Sequence, residues 1–254
     1  MADDAIKKTD GEVPDRKKSF ALLVDGYVRD LFTTGMVLQR LGYDTYIVNS
    51  AEDALKIIEA ATPVLVITEV SLPQVSGLEL LIRIKHDLHM KSIPVIIYTV
   101  DEDQKYEQLC WASGCAGFLK KPVDPGALFS AIQQATEDTP RENIRLRTLL
   151  PVRVSGGANA RSTEYISTLS ENGFFVRTLN PRSIGAVLSV TIIIRSIPVK
   201  VKAIVLRSVT INPGLFKEPG MAMRFVEISP TDRELIRNFI KGQIMKDIPT
   251  QSHP

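Results

Sequence analysis

The sequence predicts two successive domains: a doubly wound α/β domain around a five-stranded parallel sheet, then an all-β barrel of six strands with a C-terminal helix. A chain of 254 residues suits two domains of about 100–150 residues better than one. Strand-like runs alternate with helical patterns in the first half, whereas short strand-like runs follow one another in the second. The polar segment TEDTPRENI (136–144) predicts a linker between the two domains.

The first half, from Ser19 to Ala135, contains five strand-like runs, each followed by a helical pattern. The runs are SFALLVD, TYIVN, PVLVITE, IPVIIYT and AGFLK. The helices are predicted from the spacing of Val28, Leu31, Phe32, Gly35 and Leu38, at about 51–60, in GLELLIRIK, at about 103–112 and in PGALFSAIQQA. This alternation implies a parallel sheet with right-handed crossovers, whose functional groups gather beyond the carboxyl ends of the strands.

The second half contains strand-like runs that are separated by Gly, Pro and Asn turns. The runs are LLPVRVS, TEYISTLS, FFVRTL, AVLSVTIIIR, IPVKVKAIVLRSV and GMAMRFVEI. We expect a barrel, because closure removes the exposed edges of such a sheet. The segment SPTDRELIRNFIKGQIM then predicts a helix that is capped by Ser229 or Thr231.

Composition excludes several classes of protein. No apolar run approaches the roughly 18 residues that cross a bilayer, and the N-terminus has no apolar signal-peptide core. We therefore expect a cytoplasmic protein without membrane insertion, with residues 1–18 as a disordered leader and 247–254 as a tail. The two cysteines, Cys110 and Cys115, imply no disulfide framework in such a protein.

Charge is distributed unevenly between the halves. Residues 1–136 carry 14 Lys and Arg and 19 Asp and Glu, a net charge of −5, whereas residues 137–254 carry 17 and 10, a net charge of +7. Of the 17 basic residues in the second half, 12 are arginines, whose planar fork suits phosphate and guanine. A solvated basic surface is the alternative interpretation of this charge alone.

The strand ends of the first half carry a recognisable set of residues. Asp25 ends the first strand and Glu69-Val70-Ser71-Leu72-Pro73 follows the third, while Thr99 ends the fourth and Lys121-Pro122 the fifth. Residues 19–136 therefore resemble a CheY-like response-regulator receiver domain. The resemblance implies a phosphorylation site with an aspartate nucleophile, two acids for Mg²⁺, a hydroxyl and a lysine, and a cis bond before Pro122.

Two departures from the receiver pattern indicate a degenerate phosphorylation site at Asp25, Glu69, Thr99 and Lys121. Gly26 stands where a second metal-binding acid is expected, and Glu69 stands where the phosphoacceptor aspartate is expected. Glutamate carries its carboxylate one methylene further out than aspartate. The in-line geometry for attack on a phosphoryl group, which is built for aspartate, is therefore lost. We expect neither phosphorylation nor Mg²⁺ binding. Glu69 is either a permanent mimic of the phosphorylated state, paired with Lys121 and accepting from Thr99, or part of a relic.

The second half resembles a PilZ domain from Arg141 to about Met245. The resemblance rests on the R-x-x-x-R of Arg141 and Arg145, on the segment Thr168-Leu169-Ser170-Glu171-Asn172-Gly173, on Gly185, and on GMAMRFVEI with its following helix. It implies a receptor for cyclic di-GMP, with a linker at 137–147 and a barrel at 148–246. The implied nucleotide-binding residues are Arg141, Arg145, Thr168, Ser170 and Gly173.

The residue types at this implied site fit the chemistry of the ligand. Arginine donates to guanine O6 and N7 and also pairs with phosphate, so two arginines four residues apart can close over the ligand. Thr168 replaces the Asp or Asn that is usual in this family, and a hydroxyl is a weaker acceptor for the two guanine donors.

Other features do not define a site in the sequence. His86 and His89 lack the further ligands that zinc needs, so we expect them to face solvent and expect no metal. Trp111 is either a helix anchor in the core or part of a partner surface. We find no P-loop and no GGDEF or EAL signature, and the β-rich second half argues against DNA binding by a helix-turn-helix.

The sequence thus predicts a non-enzymatic signalling adaptor that binds cyclic di-GMP through its PilZ domain. In this hypothesis the receiver domain docks an unidentified protein partner or forms a homodimer. The alternative is a protein–protein interaction module that binds no cyclic di-GMP.

Overall fold

A computed structural model of the chain describes residues 20–101, 103–122, 124–155, 164–211 and 218–248. The predicted leader (1–18) and residues 249–254 of the predicted tail lie outside this part. Within it, no helix is both long enough and apolar enough to cross a membrane.

The first half forms the predicted doubly wound sheet. Its elements are β1 (Phe20–Val24), α1 (Val28–Arg40), β2 (Asp44–Val48), α2 (Ala51–Ala60), β3 (Leu65–Thr68), α3 (Gly77–His86), β4 (Val95–Thr99), α4 (Gln104–Ala112), β5 (Gly117–Lys120) and α5 (Pro125–Thr136). The strands are parallel in the order β2-β1-β3-β4-β5. Alternate residues of the inner strands face opposite sides, so one apolar cluster packs under α1 and α5 and the other under α2, α3 and α4.

The second half forms the predicted closed barrel of six strands. Its elements are β6 (Leu146–Val154), β7 (Glu164–Leu169), β8 (Gly173–Arg177), β9 (Val187–Ile194), β10 (Ile197–Val209), β11 (Gly220–Glu227) and α6 (Pro230–Ile244). The strand order around the barrel is β10-β11-β8-β7-β6-β9. The barrel thus begins at Leu146, within the predicted linker. Ser229 caps α6, because its hydroxyl accepts from the backbone N–H of Asp232 at 3.0 Å.

Polar contacts join the two halves at the end of α6. The Arg40 guanidinium, at the last turn of α1, donates to the backbone carbonyls of Gln243, Ile244 and Lys246. Lys241 on α6 pairs with Asp124, the residue before α5, at 2.8 Å. A cation at the C-terminus of a helix satisfies carbonyls that have no partner within the helix, so α6 is completed by the first domain.

Exposure tests several expectations about single residues. Val28 and Phe32 of α1 are 75% and 62% exposed, so their helical spacing did not indicate core positions. Trp111 is 50% exposed and therefore does not anchor α4 in the core.

His86 and His89 are exposed, and no group of ligands for a metal occurs in the described part of the chain. Cys110 and Cys115 are free thiols, and burial raises the pKa of each to about 11.

Candidate functional site

The first candidate site lies at the carboxyl ends of β1, β3 and β5, around the buried ammonium of Lys121. The Lys121 Nζ lies 2.9 Å from Glu69 Oε2 and 3.0 Å from Asp30 Oδ2, and it also contacts Asp25 Oδ2. The lysine side chain is fully buried and its three partners are nearly so. One cation therefore holds three carboxylates in a site closed to solvent. The bond between Lys121 and Pro122 is cis, as the resemblance implies.

Glu69 is bonded through both of its carboxylate oxygens. Its Oε1 accepts from the hydroxyl of Thr99 and from the N–H of Val70 at 2.8 Å. Its Oε2 accepts from the N–H of Val100 at 3.3 Å and pairs with Lys121. The longer side chain of glutamate thus reaches the hydroxyl and the lysine, as one of the two interpretations of Glu69 requires. Thr68 faces away and donates to the Glu69 carbonyl at 3.0 Å, which agrees with strand alternation.

The charges of this site perturb the pKa values of two groups. Burial raises the pKa of Asp25 above its ordinary value, an effect that the nearby Lys121 only partly offsets. Burial acts to lower the pKa of Lys121, but the carboxylates of Glu69 and Asp25 outweigh it and raise that pKa. Lys121 is therefore firmly charged at neutral pH, whereas Asp25 is the carboxyl group that burial penalises.

The residues at this site fit a Mg²⁺ ion poorly. Gly26 offers no ligand, and a Cβ at this position would lie 3.1 Å from Pro73 Cδ, so a longer side chain would be crowded. The carboxylates of Asp25 and Glu69 already pair with the ammonium of Lys121. Their oxygens are therefore not free to bind a metal ion.

The second candidate site is a cavity of about 680 Å³ on the outer surface of the barrel. It is lined by residues of β7, β8, β10 and β11 and by the residues that join β7 to β8. Four of the five residues that the sequence predicts for nucleotide binding line this cavity: Arg145, Thr168, Ser170 and Gly173. Ligand pockets for small molecules typically span about 300–1,000 Å³, so the cavity has a suitable size for a dinucleotide.

Ser170 and Gly173 shape the wall of this cavity. The Ser170 hydroxyl donates to the Gly173 carbonyl at 2.9 Å, which closes the turn between β7 and β8. A Cβ on Gly173 would lie 2.2 Å from the Met223 carbonyl oxygen, so β8 and β11 approach more closely than any other residue would permit. The serine and the glycine of the motif therefore have structural roles besides any contact with a ligand.

The two predicted arginines lie in different places. Arg145 lines the cavity, and its guanidinium makes no hydrogen bond or ion pair within the part of the chain that the structure describes. Arg141 instead contacts α5 of the first domain. Its backbone N–H and its Nε each lie 3.2 Å from Gln133 Oε1, and its guanidinium carbon lies 5.9 Å from the centre of the Phe129 ring.

Gln133 fixes this position of Arg141. The side chain is 1% exposed, and its Nε2 donates to the hydroxyl of Tyr43 at 2.8 Å. We call the contact among Arg141, Gln133 and Tyr43 the linker latch. It joins the R-x-x-x-R segment to the first domain, and in this arrangement Arg141 does not close over the cavity.

Sequence reasoning missed several residues of both sites. Asp30 lies in the first turn of α1, and no local signal in the sequence shows that its carboxylate pairs with Lys121. Gln133 belongs to an ordinary amphipathic helix, and its role depends on the second domain. Arg207 and Arg224 line the cavity from distant strands, so only the register of the barrel reveals them.

Comparison with known proteins gives matches in both halves. The response regulator receiver domain matches residues 22–133 and the PilZ domain matches residues 139–242. The chain is 35% identical to the probable transcriptional regulator ycf29 of Pyropia yezoensis, over 36% of this chain and 41% of that protein. It is 31% identical to the response regulator Rre1 of Synechocystis sp., over 39% of this chain and 46% of that protein.

A third relative is covered over most of its length. The two-component response regulator ORR3 of Oryza sativa subsp. indica is 30% identical over 41% of this chain and 80% of that protein. By contrast, the chain spans less than half of the length of ycf29 and of Rre1.

Proposed function

Since the chain belongs to the response regulator receiver family and continues into a PilZ domain, we propose that it is a non-enzymatic, cytoplasmic signalling adaptor that binds cyclic di-GMP. The observation that carries this proposal is the cavity of about 680 Å³ in which Arg145, Thr168, Ser170 and Gly173 come together. Arg145 is separated in the sequence from the segment that holds Thr168, Ser170 and Gly173, and the barrel brings them to one surface. Arginine, hydroxyl groups and a close backbone are suited to a dianion with two guanines.

In this proposal the receiver domain transmits a signal without phosphoryl transfer. Lys121 and Thr99 already contact the carboxylate of Glu69, so the groups that would bind a phosphoryl group are occupied by a side chain of the protein. Glu69 therefore acts as a permanent anion that holds the domain in one state. This supports the interpretation of Glu69 as a mimic rather than a relic.

The linker latch connects ligand binding to the position of the domains. Residues 141 and 145 are separated by at most about 14 Å of extended chain, so Arg141 can approach a ligand held by Arg145. To do so it must leave Gln133 and Phe129. Binding of cyclic di-GMP then exchanges the latch for contacts with the ligand and removes one of the contacts between the domains, while those of Arg40 and Lys241 at the end of α6 remain.

Exposed apolar side chains on α4 support a role in docking a partner. Tyr106 and Leu109, which are three residues apart and share a face of α4, are 39% and 50% exposed, although large apolar side chains are usually buried. This pair favours docking of a protein, which would retain an adaptor function even in the alternative in which no cyclic di-GMP binds.

Isothermal titration calorimetry of the full chain with cyclic di-GMP tests the proposal. We expect measurable binding by the wild type, loss of binding by Arg145→Ala, and tighter binding by Thr168→Asp, because a carboxylate accepts both guanine donors. Arg153→Ala is the matched control, since Arg153 is an exposed arginine on β6 that does not line the cavity. Absence of heat at high micromolar ligand for both the wild type and Thr168→Asp would refute the receptor and leave the interaction module.

A further inference from the structure

Two further arginines line the cavity besides Arg145. Arg207 lies on β10 and Arg224 on β11, and both are exposed. Neither makes a hydrogen bond or an ion pair with any residue that the structure describes. The carboxylate of Glu218, at the edge of the cavity, instead lies 3.6 Å from Arg177. The cavity therefore offers three uncompensated guanidinium groups to an anionic ligand.

Two β-bulges turn side chains towards this cavity. On β10 the register shifts between Val205 and Arg207, so that Arg207, which regular alternation would place inside the barrel, faces outwards. On β7 a shift between Ile166 and Thr168 has the same effect on Thr168. Bulges of this kind commonly re-aim a side chain next to a functional site.

The register places four of the lining residues side by side. Thr168 pairs with Phe175, Phe175 with Ala222, and Ala222 with Arg207, across β7, β8, β11 and β10. Strands in a sheet lie about 4.8 Å apart, so the Cα atoms of Phe175 and Arg207, which are two strands apart, are separated by about 10 Å. On the strand between them the row contains only the methyl group of Ala222. This leaves a shallow floor between an aromatic ring and a guanidinium group.

Gly220 makes room for the ring of Phe175 at one end of this floor. This ring lies over Gly220, where a Cβ would come within 2.7 Å of a ring carbon, so the absence of a side chain at Gly220 gives the ring its place. A planar base that enters the floor would meet the aromatic surface on one side and the fork of Arg207 on the other. Both kinds of group stack on or bind to nucleobases.

We propose that Arg207 and Phe175 form a second guanine-binding position in this cavity, and that Arg224 neutralises a phosphate of the same ligand. The proposal rests on the cyclic di-GMP function and adds the residues that determine which base is bound. Arg207 donates to guanine O6 and N7. Adenine carries an amino donor in place of O6, so the same fork discriminates against it.

This position also explains how the site can work with Thr168. A threonine hydroxyl accepts only weakly from the guanine N1 and N2 donors, whereas Arg207 stands in the same cross-strand row and addresses the opposite edge of a base. In this arrangement guanine is recognised mainly by a donor on β10, Arg207, rather than by an acceptor on β7, Thr168.

Calorimetry with cyclic di-GMP and with cyclic di-AMP tests the proposal on the full chain. We expect Arg207→Ala to weaken cyclic di-GMP binding by about tenfold or more, and Arg207→Lys to weaken it nearly as much, because lysine keeps the charge but loses the fork. Both variants should also lose part of the preference for cyclic di-GMP over cyclic di-AMP. Arg153→Ala is the control for a lost surface arginine, and thermal melting checks that each variant is folded.

The outcomes separate this proposal from the function on which it rests. If the wild type binds cyclic di-GMP and Arg145→Ala abolishes binding while Arg207→Ala binds like the wild type, the second guanine position is wrong and the receptor stands. If Arg207→Lys restores full affinity and preference, Arg207 provides charge only, and base recognition by it is refuted. If the wild type binds neither dinucleotide, both proposals fail.

Discussion

Replacement of Glu69 by glutamine tests how the receiver site is held together. The substitution keeps the shape of the side chain and removes its charge. An amide oxygen at Oε1 keeps the bonds from Thr99 and Val70, but the amide nitrogen then points its hydrogens at the Val100 N–H and at Lys121. If the amide is flipped, so that its nitrogen takes the place of Oε1, the Thr99 hydroxyl and the Val70 N–H lose their acceptor instead.

The expected loss follows from these contacts. A buried donor that loses its acceptor costs about 1–3 kcal/mol, and a bond to a charged group lies at the upper end of that range. Lys121 keeps Asp25 and Asp30, which limits the damage. We therefore expect Glu69→Gln to lower the free energy of unfolding of the receiver domain by about 1–3 kcal/mol.

Asp25→Asn is the matched control in the same site. Burial raises the pKa of Asp25, so ionisation of this group already costs stability, and its neutralisation removes that cost. The oxygen of asparagine can still accept from the N–H of Tyr27, which lies 2.9 Å from Asp25 Oδ1, but its amide nitrogen then faces Lys121. Lys121 keeps Glu69 and Asp30 as partners, and the loss of the burial cost of Asp25 opposes the loss of this contact. We therefore expect this variant to unfold within about 1 kcal/mol of the wild type.

Urea unfolding at pH 7 provides the measurement. The chain contains one tryptophan, Trp111 on α4, so tryptophan fluorescence follows the unfolding of the receiver domain. Equal losses in Glu69→Gln and Asp25→Asn would show that charge in the pocket matters but the bonds of Glu69 do not. An unchanged midpoint in Glu69→Gln would refute the role of Glu69 as a structural anion.

Incubation with acetyl phosphate and Mg²⁺ should add no phosphate to the intact mass, and a stoichiometric, base-labile adduct would contradict the degenerate site. Gln133→Leu removes the acceptor of Arg141, so calorimetry should show cyclic di-GMP binding up to about tenfold tighter, whereas equal affinity would mean that the latch does not oppose the ligand. Gly173→Ala should destabilise the barrel by about 1–3 kcal/mol, measured by circular dichroism in urea, because its Cβ meets the Met223 carbonyl; unchanged stability would refute that close approach. Because the pKa of Asp25 in the folded state is raised above 3.8, the folded state binds more protons than the unfolded state between the folded and the unfolded pKa, and stability falls as the pH rises through that range. Any gain in stability of Asp25→Asn over the wild type at pH 7 should therefore fade as the pH approaches 4. Urea unfolding at several pH values measures this, and a pH-independent difference would contradict it.

The sequence predicts the elements of both domains because each buries one face with a clear period. Leu80, Leu81 and Ile84 recur along α3 at helical spacing, and all three are buried. The alternation of Val199, Val201 and Ala203 with lysines likewise predicts β10, and these three point into the barrel. The same reasoning fails for Val28 and Phe32, since an apolar residue at helical spacing need not be covered.

The candidate sites are only partly predictable, because they depend on contacts between distant segments. Glu69, Thr99 and Lys121 are identified by their places at strand ends, which a parallel sheet brings to one edge. Arg207 depends on a bulge that shifts the register by one residue, and neither Val205 nor Leu206 signals that shift in the sequence. Arg141 illustrates a different limit, since a motif names the residue but not the domain that it contacts.

The contact of Arg40 with the end of α6 has a consequence for any attempt to study the halves separately. A chain cut at the linker would leave the last carbonyls of α6 without their donor, and would leave Arg40 without its acceptors. An isolated barrel should therefore fray at its C-terminal helix even though its strands are intact. The last turn of α6 is therefore capped by a side chain of the first domain, and the barrel should be studied in a chain that includes that domain.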